Sequence, residues 1–198
     1  MPKYFYCYYL FYQKFFKEHL INNFKQCLKD KLYRLEARYR PNLITDENFN
    51  IIQIEEELSI IQESLSEIRK IDKDFSFCII IEMIRNMKPE KIENIMKLSF
   101  EMKKKCPEII CGMYLTGDED NFKTFNELKD TMLKVENLKK EYSLNILWIL
   151  HCVESIKTRN QNLIDGFLMK SKRFGHSINL YKYIELIDKL KEKKYVWK

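Results

Sequence analysis

The sequence predicts an α/β chain of about five buried parallel strands alternating with helices. Two patterns carry that expectation. Long stretches place apolar residues at steps of three and four, and short β-branched or aromatic runs lie between them. The order is one helix followed by five strand–helix units, with no internal linker, repeat or low-complexity tract.

Taken in order, a helical pattern over about 5–28 leads into the run KLYRLEAR at 31–38. Ile51, Ile54, Leu58, Ile61, Leu65 and Ile68 then line one side of an amphipathic helix. The run FSFCIIIEM at 75–83 follows, and a helix over 90–105 opens after Pro89, a residue suited to a first helical turn. EIICGMYL at 108–115 precedes a helix over 122–142, LNILWILH at 144–151 precedes one over 157–170, and KRFGHS at 172–177 precedes one over 180–193. Such an alternation builds either an open doubly wound sheet or part of a (β/α) barrel. In both, ligands meet the C-terminal ends of the strands.

Composition narrows the class. With 45% hydrophobic and 32% charged residues in 198, a single domain over 1–198 is expected. The net charge of +6 is spread over runs such as MKKK and KLKEKK with Glu and Asp nearby, so these are solvated faces and no nucleic-acid surface is expected. Six cysteines show no CxxC pair and no Cys/His spacing for a structural zinc, and are expected as reduced thiols. The aromatic start MPKYFYCYYLFYQKFF is interrupted by Lys14 and Lys17 and lacks a small-residue cleavage site. It makes a poor signal peptide and is too short for a membrane span, so no membrane partner is expected.

The predicted strand ends bring together Glu36 and Arg38, Arg85, Gly117 with Asp118 and Glu119, His151 with Glu154, and His176. Gly117 and Gly175 sit beside this rim, where a missing side chain admits backbone to a ligand. No GxGxxG or GxxxxGK[ST] motif occurs. A strand-end histidine can equally be a hydrogen-bonded structural residue, and the GDED run can be a helix cap. The residues alone leave both readings open.

Three of these segments, GMYLTGDED, ILHCVES and NLIDGFLMKSKRFGHS, resemble the adenosine deaminases of the metal-dependent hydrolase superfamily. They are most similar to the adenosine deaminase-related growth factor branch, whose motifs read G-F-D-L-V-G-x-E-D, H-A-G-E-T and N-L-x-D-A-x-x-L-x-x-x-R-I-G-H-G. KLYRLEAR also resembles the family's second strand, which ends in E-x-R. The resemblance covers about residues 5–180 in the right order. It implies a (β/α)8 TIM barrel that uses one zinc ion to replace the 6-amino group of adenosine by oxygen, giving inosine and ammonia. By the same resemblance His151 is a zinc ligand, Glu154 donates a proton to purine N1, His176 orients the attacking oxygen, and Gly117 meets the purine through its backbone.

The departures from the family pattern carry expectations too. Val153 stands where the family has Gly, close to the expected purine, Tyr114 stands for an Asp, and Ser177 for a Gly. The family's H-x-H pair is absent, since His19 lies in a predicted helix, and the strand-eight Asp motif has no counterpart before Lys198. One zinc ligand of the family's four remains, so the chain alone is expected not to retain zinc or deaminate adenosine. On this reading residues 1–198 are an incomplete barrel, a fragment or an eroded copy, whose open edges at KLYRLEAR and KRFGHS favour self-association. The alternatives are a non-catalytic descendant that binds a purine nucleoside or a protein partner, and an unrelated scaffold with structural histidines. The compartment stays open, although the resembled branch is largely secreted.

Overall fold

A computed structural model of the chain describes residues 11–155, 161–176, 178–192 and 196–197. The chain divides into two compact units, Met1–Ile79 and Ile80–Lys198. Parallel strands alternate with helices in the manner of a partial (β/α)8 barrel, with all five expected strands present. No helix among the described residues is long and apolar enough to cross a membrane.

The first unit contains α1 (Gln13–Lys29), β1 (Arg34–Tyr39), α2 (Ile54–Arg69) and the start of β2 (Ser76–Ile84). The helical stripe of Leu58, Ile61, Leu65 and Ile68 is buried as its spacing predicts. Phe24 of α1 stacks between Phe75 and Phe77, with ring centroids 5.3 and 4.8 Å apart. Three consecutive acids, Glu55 to Glu57, occupy the first turn of α2, where the helix dipole favours negative charge. Ile51, expected inside that helix, instead pairs as an antiparallel bridge with Thr45 and lies exposed. The loop before it is held by Asp46, whose carboxylate accepts the N–H groups of Asn48 and Asn50 at 2.8 Å, so the backbone is committed to a turn and the helix starts three residues later.

The second unit takes up the end of β2 and continues through α3 (Pro89–Lys105), β3 (Ile110–Thr116), α4 (Lys129–Tyr142), β4 (Leu147–Cys152), α5 (Asn162–Leu168) and β5 (Arg173–His176). A 3-10 turn at Leu180–Tyr183 leads into α6 (Ile184–Glu192), and a two-residue β6 (Val196–Trp197) follows. Strands β3 to β6 lie side by side in chain order, all parallel, with Leu115 opposite Leu150 and Cys152 opposite His176. The period of two then sorts their side chains. Met113, Leu115, Trp148, Leu150 and Phe174 enter the main core beneath α3 and α4, while Tyr114 and Ile149 pack with Ile80 on the opposite face. Burial on both faces is why these strands read as nearly continuous apolar runs.

Two expectations about this unit are corrected. The helix expected from 122 begins at Lys129, because Thr124 and Glu127 close a reciprocal cap (Thr124 N–H to Glu127 Oε2 2.7 Å, Glu127 N–H to Thr124 Oγ1 3.2 Å) that starts only an irregular turn. The strand KRFGHS is not the outer one, since β6 pairs with it, Arg173 opposite Val196 and Phe174 opposite Trp197. Within a segment as charged as KEKKYVWK, a two-residue strand leaves no periodic signal.

Candidate active site at the end of the fourth strand

His151 is the penultimate residue of β4, and the pleat turns its ring to the face shared with Tyr114 and Ile149. Three residues on, Glu154 returns its carboxylate to that ring, with Nε2 to Oε2 at 2.8 Å. The other carboxylate oxygen lies 3.6 Å from Nδ1 of His176, the last residue of β5. The two imidazoles meet edge to face, with centroids 4.3 Å apart. Sequence positions 151, 154 and 176 are therefore one cluster, as the rim argument requires.

Both connections turn through left-handed backbone, at φ 64° for Val153 and 67° for His176. For a β-branched residue such as Val153 that conformation is strained. Its side chain is buried in the main core with Leu163 and Phe174. The expectation that Val153 crowds a purine therefore gives way to a different cost, paid in backbone strain.

The far side of His151 faces β3. Tyr114 Oη and Thr116 Oγ1 lie 3.2 and 3.4 Å from His151 Nδ1. Burial lowers the His151 pKa to about 4, helped by the neighbouring His176 and opposed by the Glu154 carboxylate. The ring is thus neutral at pH 7. The arrangement that satisfies both nitrogens has Nε2–H donating to Glu154 while Nδ1 accepts from the Tyr114 hydroxyl.

Behind the cluster lies a buried ion pair that the sequence reading placed on the rim without a role. Arg85 and Glu119 side chains are 0% and 1% exposed, with Nη2 and Oε1 3.8 Å apart. Arg85 donates from Nη2 to the backbone carbonyl of His151 and stacks its guanidinium 4.0 Å over the ring of Phe125. Glu119 Oε2 accepts the backbone N–H groups of Glu154 and Ser155, at 3.0 and 3.2 Å. From the other side Asn179 donates to the carbonyls of Glu154 and Ser155, at 3.0 and 2.8 Å, and its own N–H reaches Val153 O at 3.0 Å. The turn that aims Glu154 is thus tied at the N–H groups of Glu154 and Ser155 and at the carbonyls of Val153, Glu154 and Ser155.

Gly117 has φ 140°, and a Cβ there would fall 2.6 Å from the Phe122 ring, so the site tolerates no side chain. Asp118 serves the turn itself, accepting from Asp120 N–H at 2.9 Å and Asn121 N–H at 3.2 Å. At Gly175 a Cβ would meet Tyr114 Oη at 2.5 Å, so that glycine makes room for the tyrosine. Glu36 and Arg38 belong to the first unit, where Glu36 pairs with Arg34 at 3.4 Å. Thr116 could have been singled out in the sequence because period two puts it on the same face of β3 as Tyr114. Asn179 carries no such signal.

In a parallel α/β scaffold of this kind, ligand sites lie at the C-terminal ends of the strands, where these imidazoles and this carboxylate meet. The protein comparisons make the class more particular. No family model matches the chain. It is 25% identical over 179 residues to adenosine deaminase 2 of Dictyostelium discoideum, covering 87% of this chain and 32% of that protein. It is 23% identical over 182 residues to adenosine deaminase of Aedes albopictus, covering 89% and 33%. The chain spans about a third of the length of these curated relatives. In fold it is similar to a zinc-bound cog1816 amidohydrolase from Burkholderia ambifaria, with a TM-score of 0.74 at 12% identity over 95% of this chain and 48% of that one. It is also similar to arabidopsis ADAL complexed with GMP, with a TM-score of 0.64 at 14% identity over 92% and 52%. The resemblance read from the motifs is matched at the level of the adenosine deaminases, to which the chain is similar over most of its length.

Proposed function

We propose that this chain carries part of an adenosine deaminase-type site, closest in motif to the growth factor branch, and that it binds a purine nucleoside without turning it over by itself. The observation that carries the reading is the placement of Glu154, whose carboxylate sits between two imidazoles on a turn fixed by Glu119 and Asn179. Glu154 is half exposed, so it can reach a ligand at the strand ends while its backbone stays in place. In a site completed by the missing segments it would donate a proton to the purine ring nitrogen, which makes the adjacent carbon electrophilic. His176, a third exposed, orients the oxygen that adds to that carbon, and the C–N bond to the amino group breaks with ammonia as the leaving group. By the resemblance the backbone of Gly117 meets the ring.

The resembled enzymes use zinc, and a zinc-bound amidohydrolase shares this fold. Two imidazoles and a carboxylate are donors of the kind zinc takes, so the residues present fit the metal, with His151 as the ligand the resemblance assigns. When bound, zinc supplies Lewis-acid activation of water near neutral pH. Of the family's four ligands only His151 has a counterpart, which is why no turnover is expected of the chain alone.

The test is a chimera that joins residues 1–198 to a family member's first-strand segment and to the segment that carries its strand-eight Asp. The chimera should bind zinc and convert adenosine to inosine, and Glu154→Gln should abolish turnover with zinc still held by the grafted ligands. A Glu154→Gln chimera as fast as its parent would remove Glu154 from the reaction. If the chimera binds adenosine and zinc but never turns over, the non-catalytic descendant is the better reading.

A further inference from the structure

We propose that His151, Glu154 and His176 are by themselves a divalent transition-metal site, each supplying one ligand atom to a zinc-type cation. This goes beyond the deaminase reading, in which only His151 touches the metal, and it does not require that the chain act on any purine. Ligand atoms of the three residues all lie within 4.8 Å of one another. A tetrahedral cation with bonds of about 2.0–2.2 Å sets its donors roughly 3.3–3.6 Å apart. His151 Nε2 lies 2.8 Å from Glu154 Oε2 and His176 Nδ1 3.6 Å from Glu154 Oε1, so the carboxylate faces both imidazoles and side-chain rotation would bring one of its oxygens to a shared cation.

The surroundings complete the site. With a cation on Nε2, the His151 proton moves to Nδ1, where Tyr114 Oη at 3.2 Å and Thr116 Oγ1 at 3.4 Å are in place to accept it. Such an outer partner fixes the ring and raises its basicity. Glu119 and Asn179 already hold the Glu154 backbone, so the metal does not have to order that turn. Glu154 and His176 side chains are 48% and 30% exposed, which leaves an entry path and an open coordination position. Occupation of this site would engage both the expected proton donor and the orienting histidine. The loaded chain would then be a metal-binding protein without deaminase turnover.

Titration of the purified 198-residue chain with Co(II), followed by visible absorption and competed with zinc, tests the assignment. One cobalt per chain is expected, with ligand-field bands of a low-coordinate nitrogen and oxygen site. Glu154→Gln and His176→Ala should each weaken binding by more than about a hundredfold, beyond the roughly 10–100-fold that an outer-shell change costs. Tyr114→Phe should fall within that smaller range. Circular dichroism shows whether each variant has folded. Cadmium-113 NMR of the unaltered chain decides without any substitution, because a shift in the nitrogen and oxygen range supports the site and one in the thiolate range overturns it. Absence of binding, a thiolate charge-transfer band, or affinity unchanged in Glu154→Gln and His176→Ala would each overturn the proposal. None of these readouts involves a purine, so a failed metal site and a failed deaminase reading remain distinguishable.

Discussion

Among the described residues each unit buries one carboxylate that holds a loop, and the two are held by different partners. Glu57 in the first unit is fully buried and is held by neutral hydrogen-bond donors. Its oxygens accept from the Tyr39 hydroxyl and from the backbone N–H groups of Asn42 at 3.4 Å and Ile44 at 3.5 Å. Burial raises the pKa of Glu57, these hydrogen bonds only partly offsetting it, and also raises that of Tyr39. Glu119 in the second unit is paired with Arg85 and accepts two backbone N–H groups from the turn that carries Glu154. The first carboxylate closes a loop. The second aims another carboxylate, and so the same device becomes part of a site.

The largest difference should appear on removing the cation. Arg85→Ala leaves Glu119 buried and unpaired, and should destabilise the protein by about 3–5 kcal/mol in urea unfolding. Arg85 already leaves Nε and Nη1 without hydrogen-bond partners among the described residues, so its worth rests on Glu119, the His151 carbonyl and Phe125. A loss below about 1 kcal/mol would show that the pair is dispensable and would erase the contrast with Glu57.

Next comes Glu57, whose effect depends on pH. A carboxyl with a raised folded pKa gives stability that is full below its ordinary value near 4.3 and is lost as pH rises through the folded value. Stability measured by denaturant should therefore decline with rising pH in that window, and Glu57→Gln should flatten the slope. Glu57→Ala should cost about 1–3 kcal/mol, because it strands the Tyr39 hydroxyl and the amides of the 42–44 loop. A slope that survives in Glu57→Gln would assign it to another group.

The smallest effect is expected at Val153. Replacing it with Gly relieves a left-handed β-branched residue, about 1–3 kcal/mol, and forfeits a buried side chain worth about 1.5–3 kcal/mol. The net change in thermal unfolding should be within about 1 kcal/mol. A large destabilisation would mean that packing governs this position and that strain matters little.

Much of this was legible in the sequence because the strands are buried on both faces and the helices on one, so the two kinds of run look different. The cluster at His151, Glu154 and His176 was legible because motif residues at the ends of successive parallel strands must meet. Arg85 and Glu119 could be placed on the rim, but their joint role could not be read. It depends on one guanidinium reaching the carbonyl of a residue 66 positions away, which no local period encodes. The Val153 side chain was misplaced for a related reason: a positive φ redirects it, and only the folded backbone shows that. Asn179 comes from a turn without periodicity, and its three backbone contacts appear only in three dimensions.

The central claim is that His151 is buried against Glu154 and His176 as one prepared cluster. With only three histidines in the chain, a pH titration of nitrogen-15-labelled imidazoles by NMR resolves them. His151 should titrate near 4, below the ordinary value of about 6.5, with its proton on Nε2 at neutral pH. Because the unfolded ring takes up its proton first, stability should fall as pH drops from about 6.5 towards that midpoint. Glu154→Gln removes the group that opposes the shift, so the midpoint should move lower still. A His151 that titrates near the ordinary value, unaffected by Glu154→Gln, would contradict the account.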